Sequence, residues 1–285
     1  MDLSSFSIGN AAGFIKGPGK LFDDMLRSAA THIVIGSITR HRGEGNPGTT
    51  YERYPDGTSI NALGLPNPGL DEILTHAQEM GRRAGALGKR ISWSIAGQIP
   101  PHYAALAHAL SPFGDVEVNL GCPNVWGDGE QKPIAGFKIQ TMEAILRYVM
   151  DSVVRGTTIT LKVSPYSDPN FLKEVAEVIK RYNPHAIVTS NTFPNGVGTI
   201  DTPHGYGGVG GNALHHIALG QVSQFVDALA STGIKVTGVG GIDSGYRLAA
   251  MHKAGACGVQ IGTAYGESDA GIFTRVLEEA VNLTN

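Results

Sequence analysis

The stretch V-E-V-N-L-G-C-P-N, residues 116–124, places one thiol between two carboxamides just after an apolar segment. Residues 116–120 have the β-branched and apolar composition of a buried strand, and Asn119, Cys122 and Asn124 lie at its carboxyl end. In a barrel of parallel strands, this end carries the active site. A thiol flanked by carboxamides suits proton abstraction from a planar, polar substrate, although a free cysteine can equally serve as a small buried hydrophobe.

A lysine interrupts a second apolar segment, T-I-T-L-K-V-S-P-Y, residues 158–166. Lys162 is placed near the end of this strand, where burial of its charge is costly unless an anion or another acceptor is paired with it. One interpretation is that Lys162 faces an anionic ring system such as a reduced flavin. The alternative is a lysine that extends its charge to water at the mouth of a barrel. We favour the functional role.

Further carboxamides stand at other strand ends and in one loop. Asn191 and Thr192 end the segment V-T-S-N-T, and Asn61 lies in S-I-N-A-L-G-L-P-N. Singly, each asparagine is typical of a turn. Together with Asn119 and Asn124 they form a convergent set, which suits a substrate rich in carbonyl and N–H groups.

Two glycine-rich segments, G-V-G-G-I-D-S-G (238–245) and V-Q-I-G-T-A (259–264), each follow a strand and open a helix. In barrels, the loops after strands seven and eight commonly bind phosphate. Glycines let backbone N–H groups approach the anion, and helix N-termini add a favourable partial charge. Tight strand-to-helix turns are the alternative, and phosphate binding is the better interpretation of two such loops. Neither is a GxGxxG nucleotide fingerprint.

Strand-like and helix-like segments alternate along the whole chain. This alternation predicts a closed (β/α)₈ TIM barrel, an α/β fold, formed by one domain that spans residues 1–285. The predicted strands are 6–9, 32–36, 91–95, 116–120, 158–163, 186–190, 235–238 and 258–262. The predicted helices are 21–30, 70–86, 101–110, 139–154, 169–181, 213–231, 246–254 and 270–281.

Two connections, residues 37–69 and 192–212, are long and contain no predicted element. They follow the second and the sixth predicted strands, so both lie on the face that carries the strand ends. Structureless loops of more than about 15 residues in a compact domain are usually functional. We expect these two to cover the site.

The composition describes a soluble globular protein. Of its 285 residues, 41% are hydrophobic and 16% are charged, which is sufficient for a large core. A net charge of −3 favours neither a nucleic acid nor an anionic membrane as a partner. No apolar run approaches the roughly 18 residues of a membrane span, and M-D-L-S-S-F lacks the features of a signal peptide. The expected location is therefore the cytoplasm.

The remaining histidines and cysteine do not form a motif. The ten histidines lack HExxH or other metal-binding spacing, so no metal is expected. His215 and His216 open a predicted helix and are expected at the surface. Cys257, just before the last strand, is expected to contribute to packing. The sequence contains neither a G-x-S-x-G elbow nor a CxxC pattern.

These segments resemble the dihydroorotate dehydrogenase family of FMN-containing (β/α)₈ barrels, over nearly the whole chain. The agreeing segments are N-A-A-G (10–13), E-G-N-P (44–47), S-I-N-A-L-G-L-P-N (59–67), S-I-A-G (94–97), N-L-G-C-P-N (119–124), L-K-V-S-P-Y (161–166), S-N-T (190–192), G-G-V-G-G (207–211), G-V-G-G-I (238–242) and Q-I-G-T-A (260–264). Cysteine at the position of the base is typical of class 1, and the E-G-N-P loop is most similar to class 1A, the soluble homodimeric branch.

The resemblance implies a role for each site residue. Cys122 and Lys162 would be catalytic, and the substrate would be held by Asn61, Asn119, Asn124, Asn191 and Thr192. FMN would be held by Ala11, Ala12, Gly13, Asn119, Lys162, Gly211, Gly240, Gly241, Gly262 and Thr263. The Cys122 thiolate would remove a proton from C5 of dihydroorotate, a hydride would leave C6 for flavin N5, and Lys162 would stabilise charge on the reduced ring.

Two positions depart from the family pattern. A lysine usually stands at the end of strand two, where this chain has Gly36, and N-L-S-C-P-N is N-L-G-C-P-N here. The first change removes a cation near the flavin and an anionic substrate, for which Arg40 or Arg42 could compensate. An alternative function is therefore the oxidation or reduction of another cyclic amide or of a conjugated C=C bond.

The resemblance leaves the partner and the electron acceptor open. The expected partners are a small-molecule substrate and a second copy of the chain. Class 1A relatives use fumarate, whereas class 1B enzymes need an iron–sulfur partner subunit. Two other readings rank lower. The G-C-P segment also resembles dihydrouridine synthases, but these carry an extra RNA-binding domain and more basic surfaces. A non-catalytic barrel that binds flavin or a phosphorylated ligand would have no need of Cys122 and Lys162.

Overall fold

The computed structural model describes residues 3–127, 130–202 and 205–283. The strands are β1 Ser7–Asn10, β2 His32–Ile38, β3 Tyr51–Arg53, β4 Thr58–Asn61, β5 Arg90–Ile95, β6 Asp115–Asn119, β7 Trp126–Gly127, β8 Glu130–Gln131, β9 Ile159–Lys162, β10 Ala186–Val188, β11 Phe193–Val197, β12 Tyr206–Gly211, β13 Lys235–Val239 and β14 Gly258–Ile261. The helices are α1 Lys20–Arg27, α2 Leu70–Gly85, α3 Pro100–Leu110, α4 Ile139–Met150, α5 Pro169–Tyr182, α6 His215–Leu229, α7 Gly245–Lys253, α8 Thr263–Ser268 and α9 Gly271–Asn282.

Eight parallel strands close into a barrel in the order β1-β14-β13-β10-β9-β6-β5-β2. The ring is closed by β14, which pairs with β1 from Ser7↔Gly258 to Asn10↔Ile261. The (β/α)₈ prediction is therefore confirmed, and each of the eight predicted strands and helices is present within a few residues of its expected ends. The segment V-Q-I-G-T-A is expected to open a helix, and the short helix α8 begins there, although the predicted helix ranges do not include it.

The barrel interior is polar, whereas the layer between barrel and helices is apolar. On β5, Ser92 bonds His32 across the strands at 2.8 Å, while Trp93 is fully buried in the main apolar cluster. Gln260 Nε2 on β14 donates to Glu117 Oε2 on β6 at 2.6 Å. Three strands separate β14 from β6, so this bond crosses the interior of the barrel. The polar interior provides a floor for a polar site at the strand ends.

The two long connections contain regular structure that the sequence analysis did not predict. They contribute β3, β4, β11 and β12 to an antiparallel sheet in the order β11-β12-β4-β3. Asn61 pairs with Gly208 across β4 and β12, although these residues are far apart in the chain. Ser59 Oγ and Thr263 Oγ1, 2.7 Å apart, connect the sheet to the first residue of α8. The sheet therefore lies over the carboxyl ends of the barrel strands, as expected for these connections.

Gln221 on α6 holds the segments that follow β9 and β10. Its Nε2 donates to the carbonyls of Ser164, at 2.8 Å, and Thr189, and its Oε1 accepts the Tyr166 N–H at 2.7 Å. Gln221→Leu leaves these buried groups unpaired, so we expect the free energy of unfolding to fall by about 3 kcal/mol or more. Urea unfolding measures the loss. The exposed neighbour provides the control, because Gln224→Leu should change stability by less than about 0.5 kcal/mol. Equal stability of the two variants would contradict the role of Gln221 in holding these two segments.

Candidate active site

A cavity of about 410 Å³ opens at the carboxyl ends of the barrel strands, beneath the antiparallel sheet. All of the site residues predicted from the sequence line this one cavity. They are Ala11, Ala12, Gly13, Asn61, Asn119, Cys122, Asn124, Lys162, Asn191, Thr192, Gly211, Gly240, Gly241, Gly262 and Thr263. Their convergence follows from the fold, since they come from loops after different strands that end on one face. Their individual roles remain predictions.

Cys122 lies in the loop after β6, partly buried against the cavity wall. Burial raises the pKa of its thiol above the ordinary value. A hydrogen bond from the backbone of Asn124 and the charges of Lys16 and Lys162 oppose this rise. The neutral thiol therefore dominates near pH 7, and the thiolate that can act as a base forms at higher pH.

The carboxamides of the site are held by one another. Asn119, 6% exposed at the end of β6, donates from Nδ2 to Ser37 Oγ at 2.8 Å and accepts from Asn191 Nδ2 at 3.1 Å. A second pair joins the loop after β6 to the sheet, because Asn124 Nδ2 donates to Asn61 Oδ1 at 2.8 Å. These contacts fix the orientation of the amides in advance of any ligand.

Lys162 is 4% exposed at the end of β9, so the interpretation of a lysine that reaches out to water is wrong. Burial lowers the pKa of its ammonium group, and the charges of Glu117 and Cys122 act in the opposite direction. Glu117 is itself 1% exposed. It precedes Asn119 by two residues on β6, so the two side chains lie on the same face of the strand. Lys162 thus lines the cavity as a buried basic group, and negative charge bound in the cavity would favour its protonated form.

Lys16 is a second cation of the cavity, and the sequence analysis missed it. It lies in the loop between β1 and α1, where its Nζ donates to the carbonyl oxygen of Gly36 at 3.2 Å. The same oxygen accepts the N–H of Gly13 at 2.7 Å. Burial lowers the pKa of Lys16 to about 8, and the charge of Cys122 opposes this shift. Its only signal in the sequence is its position three residues after Gly13 in N-A-A-G-F-I-K.

The two arginines considered as substitutes for a charge at position 36 lie outside the cavity. Arg42 is exposed and forms an ion pair with Glu44, with 2.7 Å between Nε and Oε1. Arg40 is also exposed. The cation beside Gly36 is therefore Lys16, and neither Arg40 nor Arg42 lines the cavity.

Glycines line the far end of the cavity, and the backbone at these positions leaves no room for a side chain. Gly240 and Gly241 have φ angles of 123° and 63°, and a Cβ on Gly241 would lie 2.7 Å from the carbonyl oxygen of Gly211. His215 is 3% exposed, with Nδ1 3.2 Å from the Gly240 carbonyl oxygen. Its predicted surface position is wrong, because the loop after β13 folds over it, whereas His216 is exposed as predicted.

Two other types of feature do not occur in the described ranges. No group of three or more His, Cys, Asp or Glu residues is arranged there to hold a metal ion. None of the helices there combines the length and the hydropathy that crossing a membrane requires. The second cysteine, Cys257, is partly buried and donates from Sγ to the Val236 carbonyl oxygen, which agrees with a packing role.

Comparison with known proteins decides the family. The sequence profile of dihydroorotate dehydrogenase matches residues 5–283. This chain belongs to the dihydroorotate dehydrogenase family. It is 31% identical to the dihydroorotate dehydrogenase (fumarate) of Trypanosoma cruzi, over 96% of this chain and 88% of that protein. It is 30% identical to dihydroorotate dehydrogenase A (fumarate) of Lactococcus lactis subsp. cremoris, over 92% of this chain and 85% of that protein.

A solved structure shows the same fold. The crystal structure of DHODH from Eimeria tenella in complex with ferulenol superposes with a TM-score of 0.85, and the match covers 97% of this chain and 80% of that one. The sequence identity is 18%, so this likeness supports the barrel architecture alone.

Dihydroorotate dehydrogenases are FMN flavoproteins, and the cavity suits this cofactor. Its far end offers a glycine-lined cradle, formed by Gly211, Gly240, Gly241 and Gly262, which suits a phosphate approached by backbone N–H groups. Lys162 provides buried positive charge for an electron-rich ring. The residues that would hold FMN are those named from the resemblance, from Ala11 in the loop after β1 to Thr263 after β14.

Gly241→Ala tests the cradle. The new methyl group would lie 2.7 Å from the Gly211 carbonyl oxygen, at a φ of 63° that L-residues rarely adopt. We expect the affinity for FMN to fall at least about tenfold, a free-energy difference of about 1.4 kcal/mol. Quenching of flavin fluorescence on titration of the apoprotein measures it. Gly233→Ala is the matched control, because its Cβ would meet no atom within 4 Å. Unchanged FMN affinity in Gly241→Ala would contradict this assignment.

Proposed function

We propose that this protein oxidises dihydroorotate to orotate with FMN, the reaction that its family name describes. The observation that carries the proposal is the meeting of Cys122, Lys162 and four asparagines in one cavity. A thiol supplies the base, a buried ammonium supplies positive charge, and carboxamides match the carbonyl and N–H groups of a dihydropyrimidine ring. The relatives that support this substrate share 30–31% of their residues with the chain over most of their length.

The chain's own residues would act as follows. The Cys122 thiolate takes the proton from C5 of dihydroorotate at Sγ and holds it there as a thiol. Asn61, Asn119, Asn124 and Asn191 orient the ring, and their mutual hydrogen bonds keep them in place. The antiparallel sheet forms one wall of the cavity and would limit the access of water to the ring. When bound, FMN supplies the acceptor for the hydride from C6, and Lys162 holds the negative charge that this transfer brings into the cavity.

The proposal includes finer properties that the family resemblance suggests. The protein would act in pyrimidine biosynthesis as a cytoplasmic homodimer, with residues 1–285 as one catalytic domain. Fumarate would reoxidise the flavin, since the relatives from Trypanosoma cruzi and Lactococcus lactis are named for it. Size-exclusion chromatography with light scattering tests the dimer. Reoxidation of the reduced protein by fumarate, against a NAD⁺ control, tests the acceptor.

Anaerobic mixing tests the substrate. FMN-loaded protein is mixed with dihydroorotate in a stopped-flow instrument, and the visible absorbance of the flavin is followed. Rapid bleaching is the expected result. Absence of bleaching in protein that dithionite still reduces would overturn dihydroorotate as the substrate and favour another cyclic amide or a conjugated C=C bond.

The pH dependence tests the base. Because burial raises the pKa of the Cys122 thiol, most molecules carry the neutral thiol near pH 7. The thiolate fraction, and with it the rate of flavin reduction at saturating dihydroorotate, should increase with pH, by up to about tenfold per pH unit below the thiol pKa. A stopped-flow series at increasing pH measures this slope. Reduction by dithionite, which needs no base, is the control. A rate that falls as the pH rises would contradict a thiolate base.

A further inference from the structure

Lys16 is a cation of the active-site cavity for which the proposed mechanism has no task. Its backbone belongs to the loop after β1, and its side chain reaches the end of β2, where Nζ donates to the Gly36 carbonyl oxygen at 3.2 Å. An ammonium group has three donors and no acceptor, so two donors remain for other partners. Ser37, which follows Gly36 and accepts a hydrogen bond from Asn119, lines the same cavity, and so does Cys122, which is close enough to Lys16 for their charges to interact.

Within the described residues, no carboxylate neutralises Lys16. No ion pair joins it to an aspartate or glutamate there, and the acidic group that acts on its charge is Cys122, once that thiol ionises. Three basic residues, Lys16, Arg53 and Lys162, line the cavity. Among the described residues that line it, one carries a carboxylate, Asp243. That carboxylate forms an ion pair with Arg247 at 3.2 Å, at the glycine-rich end.

A partly buried ammonium without a carboxylate partner is costly unless a bound anion balances it. The lowered pKa of Lys16, about 8, expresses the same cost. A backbone carbonyl fixes the position of Nζ without cancelling its charge. The arrangement is therefore suited to an anion that enters the cavity beside the thiol, and unsuited to a neutral ligand of the same shape.

We propose that Lys16 is a specificity-determining residue that binds a negatively charged group of the substrate next to Cys122. For dihydroorotate this group is the carboxylate, and this identification rests on the proposed function. The Gly36 carbonyl oxygen positions the ammonium group, and the neutral carboxamides of the site then orient the ring. Neutral dihydropyrimidines lack the carboxylate and cannot form this ion pair with Lys16, so they bind more weakly.

The first test needs no substrate. FMN-loaded protein is treated at constant pH with iodoacetate or with neutral iodoacetamide, and alkylation of Cys122 is followed by mass spectrometry. Both reagents form an S–CH₂ bond with the same thiolate and release iodide, so the ratio of their rates cancels the thiolate fraction. Relative to N-acetylcysteine, Cys122 should prefer iodoacetate. In Lys16→Met this preference should fall at least about tenfold, the scale of a charge pair near a protein surface. Lys16→Arg should retain most of it.

The second test connects the residue to the substrate. The dissociation constants of orotate and of its neutral carboxamide, orotamide, are measured from the perturbation of the flavin spectrum. Lys16→Met should weaken orotate at least about tenfold and orotamide less than about threefold. The exposed Lys20→Met, on α1, is the control and should change neither constant.

The outcomes separate this inference from the proposed function. An unchanged alkylation ratio in Lys16→Met, or an equal loss of orotate and orotamide, would overturn the role of Lys16 even if dihydroorotate bleaches the flavin. A lowered alkylation ratio in a protein that binds no orotate would support an anion site while it overturns dihydroorotate as the substrate. If Lys16→Met does not fold, the same alkylation ratio is measured in Lys16→Gln. Absence of a preference for iodoacetate in the unmodified protein would also overturn the role of Lys16.

Discussion

Cys122→Ala is expected to slow the reduction of the bound flavin by dihydroorotate by about 10²–10⁴-fold, the usual contribution of a positioned general base. The side chain lies in the cavity at the end of β6, between Asn119 and Asn124, whose amides orient the ring that it deprotonates. Alanine keeps the partly buried position filled without a group that can accept a proton. Stopped-flow absorbance under anaerobic conditions measures the rate constant directly.

Three comparisons make this result specific to proton abstraction. Orotate binding and FMN content should stay near the values of the unmodified protein, because the asparagines and the glycine cradle are intact. Cys122→Ser should lie between cysteine and alanine in rate, since the hydroxyl can accept a hydrogen bond but is far harder to deprotonate. Cys257→Ala, which removes the other thiol near Val236, should react within about twofold of the unmodified protein. Near-normal rates in both Cys122 variants would eliminate Cys122 as the base.

Much of the site could be predicted because a barrel places sequence-distant strand ends together. Asn119, Lys162 and Asn191 each follow a recognisable strand, and strand order alone brings them to one face. The hydrophobic alternation that marks β5, β6 and β9 thus predicts both the fold and the meeting of polar groups. The resemblance adds the roles of these residues, which periodicity does not supply.

The antiparallel sheet could not be predicted from local pattern. Its strands are three to six residues long and lie in segments rich in glycine, asparagine and proline, which are typical of loops. Their stability comes from pairing between the two long connections, such as Asn61 with Gly208, and not from their own propensity. His215 was misplaced for a related reason, because the fold of the distant loop at Gly240 buries it.

Lys16 was not predicted because it lies in a loop. The conformation of this loop, and not the periodicity of a helix or strand, directs its side chain into the cavity. The loop after β1 runs parallel to β2, with Ile15 opposite Ile35; Gly36 N–H donates to the Ile15 carbonyl oxygen at 2.8 Å, and Gly13 N–H donates to the Gly36 carbonyl oxygen. These bonds carry Lys16 across to the end of β2. Position 36 on the strand is itself a glycine, and the charge beside it comes from the neighbouring loop.

Gly36→Lys, which restores the residue that the family usually has at this position, is expected to be the most destabilising change at the cavity. Gly36 has a φ of 124°, and a Cβ on it would lie 2.3 Å from the carbonyl oxygen of Ser94 in β5. That oxygen belongs to strand backbone, at the point where the pairing of β2 with β5 shifts register between Ile35 and Ile38. A rotamer change cannot relieve such a contact. We expect a loss of at least about 3 kcal/mol in the free energy of unfolding, seen as a lower midpoint in urea.

The same change separates two explanations of the glycine. One explanation is that Gly36 replaces a lysine and has no structural role of its own. Gly36→Lys would then be tolerated and would make Lys16 dispensable. The flavin of the double variant Gly36→Lys, Lys16→Ala would still be reduced by dihydroorotate. The structure favours the other explanation: the backbone conformation that excludes a side chain at position 36 is the one that presents its carbonyl oxygen to Lys16. Gly36→Ala should therefore lose both stability and FMN-dependent reduction, whereas Gly233→Ala, where a Cβ meets no atom within 4 Å, should lose neither. A stable, reducible double variant would show that the position of the cation can be exchanged between the two loops.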